Sequence, residues 1–195
     1  MSLFRRDWAR LTSDILCPPV VWGLLSLPVA FRFADSAAQA LIWAAVYITL
    51  VCVIPALYIV WMVKRGRITD IHMRLRRERF GPFLVSLVGA ALSWGVLQLI
   101  DASPAMPMMT AFTLAQLAVM TLITLVWQIS MHAMSISGAM VTMGIVFGPL
   151  PALAVAPLIP LVGTARLRLE RHTPAQVIAG TLVGAIMTIT LFALA

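Results

Sequence analysis

Long apolar runs alternate with short polar connections along the chain. The runs lie near 15–33, 38–63, 81–100, 105–128, 133–149, 150–165 and 174–195 and carry almost no charge. An α-helix needs about 20 apolar residues to cross a bilayer core. Continuous rather than alternating hydrophobicity argues against a membrane β-barrel. The pattern predicts an all-α, polytopic integral membrane helical bundle of six or seven transmembrane helices, built as a single domain over 1–195. The run 150–165 carries Pro151, Pro157 and Pro160, with Pro149 just before it, so a kinked or tilted helix is expected there. No repeat and no long linker divides the chain. Gly144 with Gly148, and Gly180 with Gly184, recur at four-residue spacing. That spacing lets helix backbones approach closely in lipid, and both pairs are expected to pack the bundle.

Composition agrees with the pattern. Only 11% of residues are charged and 62% are hydrophobic, whereas a soluble domain carries about 25% charge. The net charge of +7 sits mostly in the connections. There it suits orientation in the membrane, or contact with phosphate-bearing membrane lipids, better than nucleic acid. The N-terminal arginines Arg5, Arg6 and Arg10 place that end in the cytoplasm, at the plasma (inner) membrane. No cleavable signal is evident, because Pro18, Pro19 and Pro28 interrupt the first run. Cys17 and Cys52 lie in apolar runs and read as small buried residues rather than a disulfide or metal ligands.

The connections hold the chemistry. The stretch 64–82, KRGRITDIHMRLRRERFGP, contains half of the fourteen basic residues and His72. The junction WQISMHAMSISG at 127–138 contains His132, and TARLRLERHTPAQVIAG at 164–180 contains His172. If all seven runs span, these three connections share one membrane face. Arginine offers paired donors that match phosphate oxygens, and a helix start such as the one near Ser130 binds anions. One histidine can attack phosphorus and another can protonate the leaving oxygen. Arg79, Ser130, His132, Arg166 and His172 supply those roles if they meet in space. Simpler readings stand beside each. His132 and His172 suit structural hydrogen bonds at helix junctions, and His72 suits a solvated basic loop. Arg166 and Glu170 are spaced to pair on a helix surface. Thr173-Pro174-Ala175-Gln176 has the form of a capping box. The seven acidic residues are scattered, and no cluster has metal-ligand spacing, so neither a metal nor another cofactor is expected.

The three connections together resemble the three signatures of the type-2 phosphatidic acid phosphatase family, relatives of the vanadium haloperoxidases. That family carries Lys, six residues, Arg-Pro; then Pro-Ser-Gly-His; then Ser-Arg, five residues, His, three residues, Asp. The matching positions are His72 and Arg79-Phe80; Ile129-Ser130-Met131-His132; and Ala165-Arg166, His172 and Gln176. The resemblance covers the chain from about residue 64 onward. It implies a metal-independent hydrolase of a lipid phosphate or polyprenyl diphosphate. On that template His172 is the nucleophile, His132 the general acid and Gln176 the partner of His172. Arg79, Ser130, Arg166 and His72 would bind the substrate phosphate.

Departures from the template have chemical consequences. His72 replaces a permanent cation, Met131 replaces glycine at a close backbone approach, and Phe80 replaces proline. Gln176 replaces a carboxylate, and an amide can orient a histidine but cannot neutralise its charged form. In the serine-protease triad, replacing the Asp by its amide costs about 10⁴ in turnover. A catalytically silent relative, acting as an integral subunit or lipid-binding scaffold of a membrane complex, is therefore the alternative. Homo-oligomers and membrane-complex partners remain open. A transporter is disfavoured, because the runs hold essentially no ionisable residues.

Overall fold

The computed structural model describes residues 7–71, 73 and 75–194. His72, one of the expected substrate-binding residues, lies outside them. The chain is 83% helical, and the described residues contain no strand, so the fold is all-α. Among the described residues, five helical segments are long and apolar enough to cross a membrane, or six if one bent pair counts as a span. The described chain forms two compact units. One comprises residues 22–127, the other residues 7–21 together with 128–194.

The unit 22–127 begins within α2 (Pro18–Phe33), and α3 (Ala37–Tyr47) follows. Ser36 caps α3, its Oγ accepting from the Gln39 N–H at 3.2 Å. The helix then widens into a π-turn over Ile48–Val53 before α4 (Ile54–Lys64). Pro55 explains the widening. It lacks an N–H, and its ring would press on the carbonyl four residues back, so the Ile54 N–H bonds instead to the Thr49 carbonyl five residues back. The displaced Leu50 carbonyl lies against Gly89 of α5 (Phe80–Leu99), where a Cβ would collide with it. Helix α6 (Ala105–Val126) completes this unit. The Tyr47 hydroxyl, fully buried, lies 2.7 Å from Thr113 Oγ1. Thr113 donates its own proton to the Met109 carbonyl at 3.0 Å, so Tyr47 is the donor to Thr113.

In the other unit, a short α1 (Trp8–Ile15) precedes α2. The chain from 128 on forms α7 (Met131–Phe147), α8 (Pro149–Val155), α9 (Leu158–Arg168) and α10 (Pro174–Leu194). Gly148 ends α7 with φ 96°, a conformation glycine adopts freely. No atom lies within 4 Å of where its Cβ would stand, so Gly148 serves a turn rather than the packing expected of it. Gly144 does pack, with Ala152 3.3 Å from its Cβ position. The prolines after Gly148 fall at helix starts. Pro149 and Pro151 open α8, and Pro157 caps α9 with Pro160 in its first turn. A missing N–H costs nothing there. Together α8 and α9 give an apolar segment of 20 residues, Pro149–Arg168. Helix α7 has 17 residues and falls just short of the span length.

Helices α7 and α10 run in the same direction from a shared end. Ser130 N–H donates to the Gln176 carbonyl at 3.1 Å, where both helices begin. A Cβ on Gly180 would collide with the Ser130 carbonyl, and one on Gly184 with the Met134 carbonyl and Ser137 Oγ. The Gly180/Gly184 pair therefore does what its spacing predicts: it seats α10 on the backbone of α7. Two parallel helices in sequence need a return path, and α8–α9 provides it.

Candidate functional site

The second and third histidine-bearing connections meet in the unit that holds α7–α10. Ser130 caps α7, its Oγ accepting from the Ala133 N–H at 3.3 Å. One residue into that helix is His132, 7% exposed. Arg166, near the end of α9, is 1% exposed. After α9 stops at Arg168, Glu170 takes a positive φ of 52° and the chain turns into α10. Glu170 thus lies beyond the helix rather than one turn along it from Arg166. His172, in the turn itself, is 8% exposed.

The capping box forms as its residues predict. Thr173 N–H donates to Gln176 Oε1 at 3.0 Å, and Gln176 N–H donates to Thr173 Oγ1 at 3.4 Å. The same Gln176 Oε1 lies 3.3 Å from His172 Nδ1. The Thr173 N–H requires an acceptor at that atom, which establishes it as the amide oxygen. An oxygen acceptor in turn requires a proton on His172 Nδ1, which leaves the lone pair of a neutral ring on Nε2. Capping and orienting are thus one arrangement: a single side-chain oxygen does both.

His132 is fixed with the opposite polarity. Its Nε2 lies 3.1 Å from the carbonyl oxygen of Ser13 in α1. A carbonyl only accepts, so His132 Nε2 carries the proton. Arg166 Nη1 donates to Ser13 Oγ at 3.4 Å. Both oxygens of one buried serine therefore receive donors from His132 and Arg166. Ser13 was not among the residues singled out from sequence, because it precedes the first apolar run and belongs to no motif. The only local signal is the Asp7 cap, whose Oδ1 accepts from the Ala9 N–H at 3.2 Å, which marks the start of a helix. Arg168 ties the outer end of α1 to α9, its Nε 3.2 Å from Asp7 Oδ1 and its guanidinium 5.5 Å from the Trp8 ring centroid.

Arg79 belongs to the unit 22–127. It is 4% exposed, in a single 3₁₀ turn (Arg76–Arg79) leading into α5. Its Nε donates to the Met73 carbonyl at 3.2 Å, and its Nη1 has no hydrogen-bond partner among the described residues. Glu78 braces the preceding loop, accepting from Thr69 N–H at 3.0 Å and Thr69 Oγ1 at 2.9 Å. Among the described residues no group of three His, Cys, Asp or Glu side chains is placed to hold a metal ion. Cys52 is buried and Cys17 half-buried. No family model, curated protein or solved structure matches the chain.

Proposed function

We propose that this membrane protein is a phosphatase of lipid phosphates or polyprenyl diphosphates that works through a phosphohistidine. The observation that carries the reading is the hydrogen bonding of two buried histidines in one unit, with Nδ1 of His172 on the Gln176 oxygen and Nε2 of His132 on the Ser13 carbonyl. With Nδ1 donating, a neutral His172 has Nε2 as the nitrogen that can attack, and a cationic His132 has an Nε2 proton to give. In the first step His172 Nε2 forms a bond to phosphorus while the bond to the leaving oxygen breaks. That oxygen takes the Nε2 proton of cationic His132, which is left neutral. In the second step water attacks the phosphohistidine and gives its proton back to His132, and inorganic phosphate departs. Arg166 holds the charge that develops on the phosphoryl oxygens, and in such transfers positioning and electrostatics carry most of the rate. The spare oxygen capacity of Gln176 keeps His172 in its reactive tautomer. The part assigned to Arg79 rests on the family resemblance.

The test is phosphate release from a panel of lipid phosphates and polyprenyl diphosphates, with EDTA present, by wild type and His172→Ala. Release by the wild type that is lost in the variant is the expected result. Absence of release from every substrate by folded protein would refute it. One observation favours a second reading, a silent relative acting as a subunit or lipid-binding scaffold: His132 and Arg166 both hold Ser13 of the same chain.

A further inference from the structure

That occupation of His132 and Arg166 has a second meaning. We propose that α1 is a lid over the phosphate seat, closed in this structure, with Ser13 standing in for the substrate. This rests on the phosphatase reading for the identity of the group that displaces it. Ser13 is fully buried. It presents two acceptor oxygens from one residue, Oγ to Arg166 and the carbonyl to His132. A phosphoryl group would meet the same two donors with the same polarity, one oxygen on the guanidinium and the leaving oxygen on the His132 proton. Lid and phosphate therefore compete for one pair of donors.

The rest of α1 buries little. Of its eight residues only Ala9 and Ser13 are buried, both small, so little apolar surface is exposed when it lifts. Trp8, Leu11 and Ile15 are instead 43%, 41% and 53% exposed. They share one helix face at spacings of three and four, the pattern of a helix that rests on a membrane interface. The helix stops at Leu16–Cys17, immediately before Pro18 and Pro19, which gives the lid a defined pivot. Its outer end is fastened by the Asp7–Arg168 pair, with side chains 40% and 58% exposed, and by the Trp8 ring against the same guanidinium. Such an exposed ion pair is weak and screened by salt.

The lid is read by thiol labelling of Ser13→Cys in a Cys17→Ala, Cys52→Ala background, in lipid nanodiscs, with a charged maleimide. Ala9→Cys, at an equally buried position, serves if Ser13→Cys does not fold. Asp7→Asn keeps the helix cap and removes the ion pair. It should speed labelling about two- to fivefold, as release of an exposed pair implies. Inorganic phosphate, against sulfate at equal ionic strength, should speed it further by taking the seat. Asp7→Asn in the native-cysteine protein should raise phosphate release by a similar factor. Labelling that ignores both Asp7→Asn and phosphate overturns the lid, whether or not the protein turns over lipid phosphate. A phosphate-dependent rise in labelling without turnover of any substrate keeps the lid and refutes the phosphatase reading.

Discussion

Gln176→Glu separates a helix cap from a catalytic partner. In the wild type one amide oxygen accepts from Thr173 N–H at 3.0 Å and from His172 Nδ1–H at 3.3 Å. Glutamate has the same length and shape, so both bonds persist, now to an anion. For the cap, a carboxylate in the first turn of α10 is worth about 0.3–1 kcal/mol against the helix dipole, a modest rise in thermal stability. For the proposed reaction the effect is larger. Attack by His172 Nε2 places positive charge on the ring, and a carboxylate 3.3 Å away stabilises that charge where an amide does not. A hydrogen bond to a charged group contributes about 1.5–3 kcal/mol, against about 1 kcal/mol for a neutral one. A net gain of about 1–2 kcal/mol in the transition state corresponds to about 5- to 30-fold in turnover. The assay is steady-state phosphate release under saturating substrate, beside a thermal melt of the same preparation. A rise in melting temperature with no change in turnover would show that Gln176 only closes the helix, and would remove His172 from the nucleophile's role. Gln176→Leu should lower both quantities, since it deletes the acceptor outright.

Three further outcomes test the packing and the buried polar groups. Gly180→Ala puts a Cβ 3.2 Å from Ser130 N and C, and closer still to the Ser130 carbonyl oxygen. Overpacking of about 1–3 kcal/mol should outweigh the helix propensity gain of about 1 kcal/mol. Gly95→Ala, in open space on α5, should not destabilise, and equal melting temperatures for the two would refute the α7–α10 contact. Tyr47→Phe deletes a buried donor to Thr113 and should cost about 0.5–1.5 kcal/mol in chemical denaturation. No loss would mean the hydroxyl is not bonded as described. Arg79→Met removes a buried guanidinium whose Nη1 has no partner among the described residues. Stability should change by less than about 1 kcal/mol, while phosphate release falls at least about 100-fold if the guanidinium serves the substrate. A large loss of stability would instead assign Arg79 to the fold.

The sequence by itself determined the features that depend on near neighbours in the chain. Apolar runs of membrane-spanning length specify helices, and Thr173-Pro174-Ala175-Gln176 specifies a capped helix start, because both are settled within a few turns of backbone. The spacing of Gly180 and Gly184 announced a close helix contact for the same reason, although not which helix would fill it. The matching spacing of Gly144 and Gly148 misled at one position, since Gly148 is spent on a turn with φ 96°. Span length along the run 133–165 was also not legible, because Gly148 and the four prolines after it decide where the helices break.

Tertiary structure alone decided the polarity of the histidines. Which nitrogen of His132 or His172 carries the proton depends on whether a carbonyl of α1 or an amide oxygen of α10 stands opposite it. Nor could sequence spacing foresee that Ser13, more than a hundred residues before His132 and Arg166, would supply acceptors to both. Hydrogen bonds between distant segments leave no periodicity in the chain. They arise only when helix packing, here α1 against α9 and α10 against α7, carries unrelated residues to the same place.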